Sequence, residues 1–141
     1  MTFSAADGDA VLAEHFAPWV RDLGLRVEAI AVEENGLASA TLRLPWSDRL
    51  ARQGGGLSGQ ALMAAADTAT VIALSVARGG FGRMTTVQQS ITFQRPVVGT
   101  DVLVTARISK LGRSLAFVAV SMVAEGATEP AAQASTVYAL A

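Results

Sequence analysis

Asp67 is the side chain most in need of a chemical explanation. It is the single charged residue in the run Leu57–Ala77, LSGQALMAAADTATVIALSVA, whose other positions are mostly Ala, Leu, Val and Met. An ionised carboxylate in such surroundings is costly to desolvate unless something pairs with it or bonds to it. Two explanations compete. Either a neighbouring backbone or hydroxyl group satisfies it, as for most buried polar groups, or it is a general base or nucleophile.

The other reactive residue types narrow the chemistry by exclusion. Ser58 lies in Gly56-Leu57-Ser58-Gly59-Gln60, which lacks the last glycine of G-x-S-x-G, and the sole histidine, His15, is on an unrelated segment. A serine-hydrolase triad is therefore not available, and Ser58 reads as a helix cap. No Lys-Ser/Thr follows the glycines, so this is not a phosphate-binding loop. With no cysteine and one histidine, neither a disulfide nor a thiolate or histidine-rich metal site is expected. His15, next to Glu14, reads as a helix-surface residue. A net charge of −1 without a basic block argues against a nucleic-acid partner.

The elements around Asp67 follow from periodicity. Gly54 to Arg78 reads as a long central helix entered through three glycines and apolar on nearly every face, so it needs cover from other structure. Its length suits a membrane span, but Gln60, Asp67, Thr68, Thr70 and Ser75 interrupt it, and a central Asp is penalised by roughly 3 kcal/mol on insertion scales. Before it, residues 1–23 read as an N-terminal amphipathic helix capped by Asp7 or Asp9 and ended by Gly24. A hairpin follows, Leu25 to Ala31 and Leu37 to Leu44, turned at Glu34-Asn35-Gly36. After the helix come strand-like runs from Met84 to Arg95, Val102 to Lys110, Ser114 to Ala124 and Ala131 to Leu140. The third is apolar almost throughout, as expected of a well-covered strand.

Residues 1–141 with 51% hydrophobic content make one domain of α+β class, a curved antiparallel sheet wrapped around the central helix. The outer face and edges of such a sheet need cover, so at least a homodimer is expected. The N-terminus lacks the build of a secretory signal, and a cytoplasmic location is the default.

First-turn N–H groups of a helix have no intrahelical acceptor and carry the positive end of its dipole, so Gly59 can donate to a developing oxyanion. Asp67 lies eight residues further on, roughly 12 Å along the axis. One helix cannot bring both groups to one carbonyl.

Four stretches in this order resemble the hotdog-fold thioesterases of the PaaI type, within the 4-hydroxybenzoyl-CoA-like acyl-CoA thioesterases. They are Gly56 to Gln60 with Asp67 downstream, Thr86 to Pro96, Gly99-Thr100-Asp101, and Gly112 to Phe117. The resemblance covers roughly Trp46 to Leu140. It implies a hotdog fold and hydrolysis of an aryl or short to medium acyl-CoA to the free acid and CoA, without cofactor or metal. The family's helix usually begins His-Gly-Gly with a catalytic Asp or Glu nine residues after the His. By that match Asp67 is the base or nucleophile and Gly59 the backbone oxyanion donor, while Ser58 stands where His is usual and Gln60 replaces the second glycine. Thr86 takes the place of the hydroxyl on the next strand, with Thr85 as its neighbour, and Gln53 or Asp48 supplies a polar group ahead of the helix. Among Arg83, Arg95, Lys110 and Arg113, the resemblance favours Arg113 and then Arg95 for the CoA phosphates. It also implies a site shared between subunits, Gly59 of one facing Asp67 of the other, in a dimer or a tetramer built as a dimer of dimers. The departure at Ser58 leaves a second class open, a non-catalytic module that binds acyl-CoA or assembles.

Overall fold

The computed structural model describes residues 2–141. In chain order the elements are α1 (Ala5–Glu14), α2 (Pro18–Arg21), β1 (Arg26–Val32), β2 (Ala38–Leu44), α3 (Gly59–Arg78), β3 (Met84–Phe93), β4 (Val102–Leu111), β5 (Leu115–Ala124) and β6 (Ala132–Leu140). The strands form one antiparallel sheet in the order β1-β2-β4-β5-β6-β3. It curves around α3 in a hotdog fold.

The three glycines turn the chain in front of α3 rather than opening it. Gly54 and Gly55 take φ of +100° and +93°, where a Cβ would be strained. The Arg52 N–H donates to the Gly56 carbonyl at 2.8 Å, and the Ser58 N–H to the Leu50 carbonyl at 2.9 Å. The helix then starts at Gly59, five residues later than the sequence reading placed it. Ser58 is its N-cap, Oγ accepting from the Ala61 N–H at 3.2 Å, and Gly79 closes it in the left-handed conformation.

Alanine at 61, 65, 66, 69 and 73 lets α3 approach the sheet closely, and Ile72 and Leu74 fill the space beyond. Each of those two larger side chains contributes about 1.5–3 kcal/mol by burial. Val102, Val104, Ala106 and Ile108 of β4 and Ala116, Val118, Val120 and Met122 of β5 face the helix and are buried. Although α3 is long and apolar enough to cross a membrane, 72% of its apolar window is buried inside the protein.

Other expectations also need correction. The N-terminal helix is broken in two because Pro18 lacks an N–H and its ring would clash with the Glu14 carbonyl, so it starts α2 instead. Ser4, not Asp7 or Asp9, caps α1: its Oγ accepts from the Asp7 N–H and its N–H donates to the Asp7 carboxylate, a capping box. Alternation along the sequence groups Val27 with Ala29 and Ala31, but in β1 the pairing shifts between Val27 and Ala29, so Val27 and Ile30 face inward while Ala29 and Ala31 turn out. Finally, β5 is covered on one face only. Leu115 and Phe117 are exposed on the outer side, because an apolar run does not reveal how many of its faces are covered.

Asp101, from the Gly99-Thr100-Asp101 stretch, is a structural anchor. It accepts from the Trp46 N–H at 2.7 Å and from Arg43 at 2.9 Å, and Arg43 also reaches Glu28 and Glu125. The Trp46 N–H first, and then the guanidinium, hold the Asp101 carboxyl below the usual carboxylate range.

Candidate active site

Asp67 is half-buried on the side of α3 that faces β3 and β6. Thr86 and Tyr138 are opposite one another on the β3–β6 ladder. Each donates its hydroxyl to the same oxygen of Asp67, Oδ1: Thr86 at 2.8 Å and Tyr138 through a short bond. Tyr138 also donates to the Asp67 backbone carbonyl at 3.1 Å. No protein donor to Oδ2 is found among the described residues. Burial first, and then the negative charge of Asp67, push the Tyr138 phenol well above its ordinary value.

A bulge aims Thr86 at the helix. Strict alternation along β3 puts Thr86 on the face opposite Gln89, Ile91 and Phe93. The register shifts between Thr86 and Gln88, leaving Val87 unpaired, and this brings Thr86 round to the inner face. Thr85, paired with Ala139, consequently points away from Asp67.

Asp67 opens into a cleft of about 400 Å3. Phe16, Trp19 and Val20 form one wall; Gln60, Met63 and Ala64 of α3 form another; Thr86 and Gln89 complete it. Gln89 donates to the Met63 carbonyl at 2.9 Å, which fixes the orientation of its amide and leaves its buried Oε1 without a partner.

Gly59 lies in a different cleft, of about 440 Å3, with Arg52, Leu62, Phe93 and Arg95. The N–H groups of Gly59 and Gln60 meet no acceptor among the described residues. The Phe93 ring rests against the helix start, so that a Cβ on Gly59 would sit 3.0 Å from its Cζ. Arg95 also pairs with Glu129.

The remaining residues singled out in the sequence divide as follows. Gln60 lines the Asp67 cleft and a smaller neighbouring one with Ser58, Arg49 and Trp19. Gln53 is exposed in the glycine turn, and Asp48 accepts from the Trp46 indole N–H at 3.0 Å. Arg113 is exposed in the β4–β5 turn and lines neither large cleft. His15 stacks on Phe81 at 4.1 Å between ring centres. Among the described residues no group of His, Cys, Asp and Glu is placed to hold a metal ion.

Sequence reasoning missed Tyr138 and the wall formed by Phe16, Trp19 and Val20. Tyr138 had a signal: it is the chain's one tyrosine, at an inward position of β6, and a buried phenol normally finds a polar partner. The aromatic wall had none, because α2 reaches the cleft only through tertiary packing.

A curved antiparallel sheet wrapped around an alanine-rich central helix defines the class as hotdog. Comparison with family models then shows that the chain belongs to the thioesterase superfamily, residues 54–131 matching its model. A search of curated proteins gave no sequence match. Similar solved structures include a candidate thioesterase from Silicibacter sp. TM1040, 30% identical, with a TM-score of 0.81 over 97% of this chain and 91% of that one. A variant of the phenylacetic acid degradation protein PaaI from Thermus thermophilus is 25% identical, with a TM-score of 0.74 over 89% and 100%. PaaI from the E. coli phenylacetic acid degradation operon is 17% identical, with a TM-score of 0.80 over 97% and 93%.

Proposed function

We propose that the protein is an acyl-CoA thioesterase that hydrolyses an aryl or short to medium acyl-CoA in a site completed by a second copy of itself. The acyl group occupies the apolar cleft at Asp67. Asp67 Oδ2 takes a proton from water as the water oxygen bonds to the thioester carbon. The partner's Gly59 N–H holds the oxyanion that forms. Collapse breaks the C–S bond, the electron pair leaves with sulfur, and the proton on Asp67 passes to the CoA thiolate. A thiol of pKa about 8.5 leaves readily, so little acid assistance is needed. The Thr86 proton is engaged by Oδ1, which leaves the Thr86 lone pairs free to accept from the attacking water.

The observation that supports the shared site most is the layout along β3. Asp67 bonds to Thr86 at one end of this edge strand, and Gly59 lies under Phe93 at the other. Antiparallel pairing of two β3 strands about a two-fold axis would bring the Phe93 end of one beside the Thr86 end of the other, and so Gly59 of one copy toward Asp67 of its partner. β3 is suited to pairing: its side chains are largely uncharged, and Val87 and Phe93 are 58% and 51% exposed. The opposite edge, β1, carries Arg26 and Glu28 and a bulge, features that discourage pairing. The exposed Leu111, Leu115 and Phe117 offer a second contact for a dimer of dimers. Arg95 and Arg52 line the Gly59 cleft, and in this reading they meet the CoA phosphates.

One observation favours a second reading, a non-catalytic acyl-CoA-binding module. Ser58 stands where the resemblance leads one to expect His, and its Oγ is engaged as the helix cap. Free-thiol release across a panel of acyl-CoA esters separates the two. Turnover that Asp67→Asn abolishes supports the enzyme; an inert wild type whose Tm rises with acyl-CoA supports the module.

A further inference from the structure

Tyr138 has no place in the reaction as proposed above, yet its phenol O–H is shared between the carboxylate and the backbone carbonyl of the residue at its centre. We infer that Tyr138 is the positioning residue of this site: with Thr86 it locks Asp67 through Oδ1, so that Oδ2 alone faces the thioester and its water. The inference rests on the reading of Asp67 as the base.

A carboxylate has two chemically equivalent oxygens and no rotational preference of its own that would present one of them to a substrate. Here both hydroxyl donors fall on Oδ1. The donors are themselves fixed. Tyr138 is 2% exposed and is held between β3 and β5 through its pairings with Thr86 and Ala116. The same phenol proton is also within reach of the Asp67 carbonyl, so the phenol is held against the helix backbone as well as the side chain. Tyr138 is absent from the wall of the Asp67 cleft, so it touches Asp67 and not the acyl group. Burial first, and then the negative charge of Asp67, keep the phenol protonated and so able to donate to the carboxylate. A bulge-placed threonine and a buried tyrosine thus leave the carboxylate one orientation.

The chain has one tyrosine, so tyrosinate absorbance reports on Tyr138 alone. Two measurements test the inference together. In alkaline titration of the native protein, Tyr138 stays protonated beyond the ordinary tyrosine range near pH 10, and in Asp67→Asn it ionises at lower pH than in wild type. In steady-state hydrolysis, Tyr138→Phe lowers kcat about tenfold, the kinetic equivalent of one lost hydrogen bond, with KM changed by no more than about twofold. Ordinary ionisation of Tyr138 in the native protein overturns the inference, as does wild-type kcat in Tyr138→Phe. If Asp67→Asn loses turnover while Tyr138→Phe keeps it, the positioning role alone fails; if Asp67→Asn keeps turnover, the base assignment fails and takes the inference with it. Should Tyr138→Phe not fold, the titration still decides whether the Tyr138–Asp67 bond exists, without which the inference fails.

Discussion

Gly59 and Asp67 share helix α3 but open into separate clefts, one walled by Phe93 and Arg95 and the other by Trp19 and Met63. As donor and base of the proposed reaction they cannot meet within one chain, so that reaction requires a second chain. The proposed antiparallel β3 pairing would supply it without moving either group.

The Gly59 N–H can be removed without disturbing the helix. Position 59 is the first helical residue, where proline is favoured, and Ser58 at φ −67° and ψ 145° already has the backbone that a following proline requires. Gly59→Pro is expected to keep its Tm within a few degrees and lose about 10²–10³-fold in kcat. Gly59→Ala keeps the donor, and its methyl group has only to turn the half-exposed Phe93 ring, so it should retain most of its activity. Comparing kcat and Tm of the two variants checks the donor role.

The β3 edge can be mapped by crosslinking, since the chain has no cysteine to interfere. Ser90 lies near the midpoint between Thr86 and Phe93, where the proposed two-fold axis passes, and antiparallel partners stand at distances a disulfide can bridge. Ser90→Cys should form a covalent dimer on mild oxidation, while Arg26→Cys on the β1 edge should not. Non-reducing electrophoresis reads the outcome.

Trp19 is 60% exposed and stands at the mouth of the Asp67 cleft. Trp19→Ala should widen that mouth and shift kcat/KM toward bulkier acyl groups, by about tenfold or more relative to the shortest, the scale set by one or two methylenes in an apolar pocket. Competition between a short and a longer acyl-CoA measures the ratio.

Much of this was legible in the chain because binary pattern and composition are local. The burial of α3 and the inward face of β4 follow from residue type and spacing, as does the expectation that Asp67 has a polar partner. What escaped were the places where one residue changes the phase. The register shifts beside Val27 and at Val87 reverse which side chains face inward, and no glycine or proline marks either. Thr86 was singled out by resemblance, whereas alternation alone assigns it to the wrong face. The break at Pro18 was readable from the missing N–H but was overridden by the amphipathic pattern on both sides. Tyr138 reaches Asp67, and Trp19 its cleft, across more than 40 residues of chain, a distance that no local pattern spans.

Asp101 makes stability depend on acid pH. Its carboxyl is held below the usual range, chiefly by the Trp46 N–H and then by Arg43, so the folded state binds its proton less readily than the unfolded chain does. The associated stabilisation is complete above the ordinary carboxylate value near pH 4 and fades as pH falls through the depressed one. Asp101→Asn should therefore lower Tm at neutral pH, with the gap to wild type narrowing below about pH 4. Paired thermal melts across that range check the sign.

The shared site is tested most directly by complementation. Asp67→Asn and Gly59→Pro, each inactive alone, are co-expressed with different tags and the hetero-oligomer is purified through both. One site of each mixed dimer then pairs an intact Asp67 with an intact Gly59, and the other has neither. The account predicts that this species recovers about half of the wild-type kcat per dimer, one working site of two. A hetero-oligomer as inactive as its parents would contradict it.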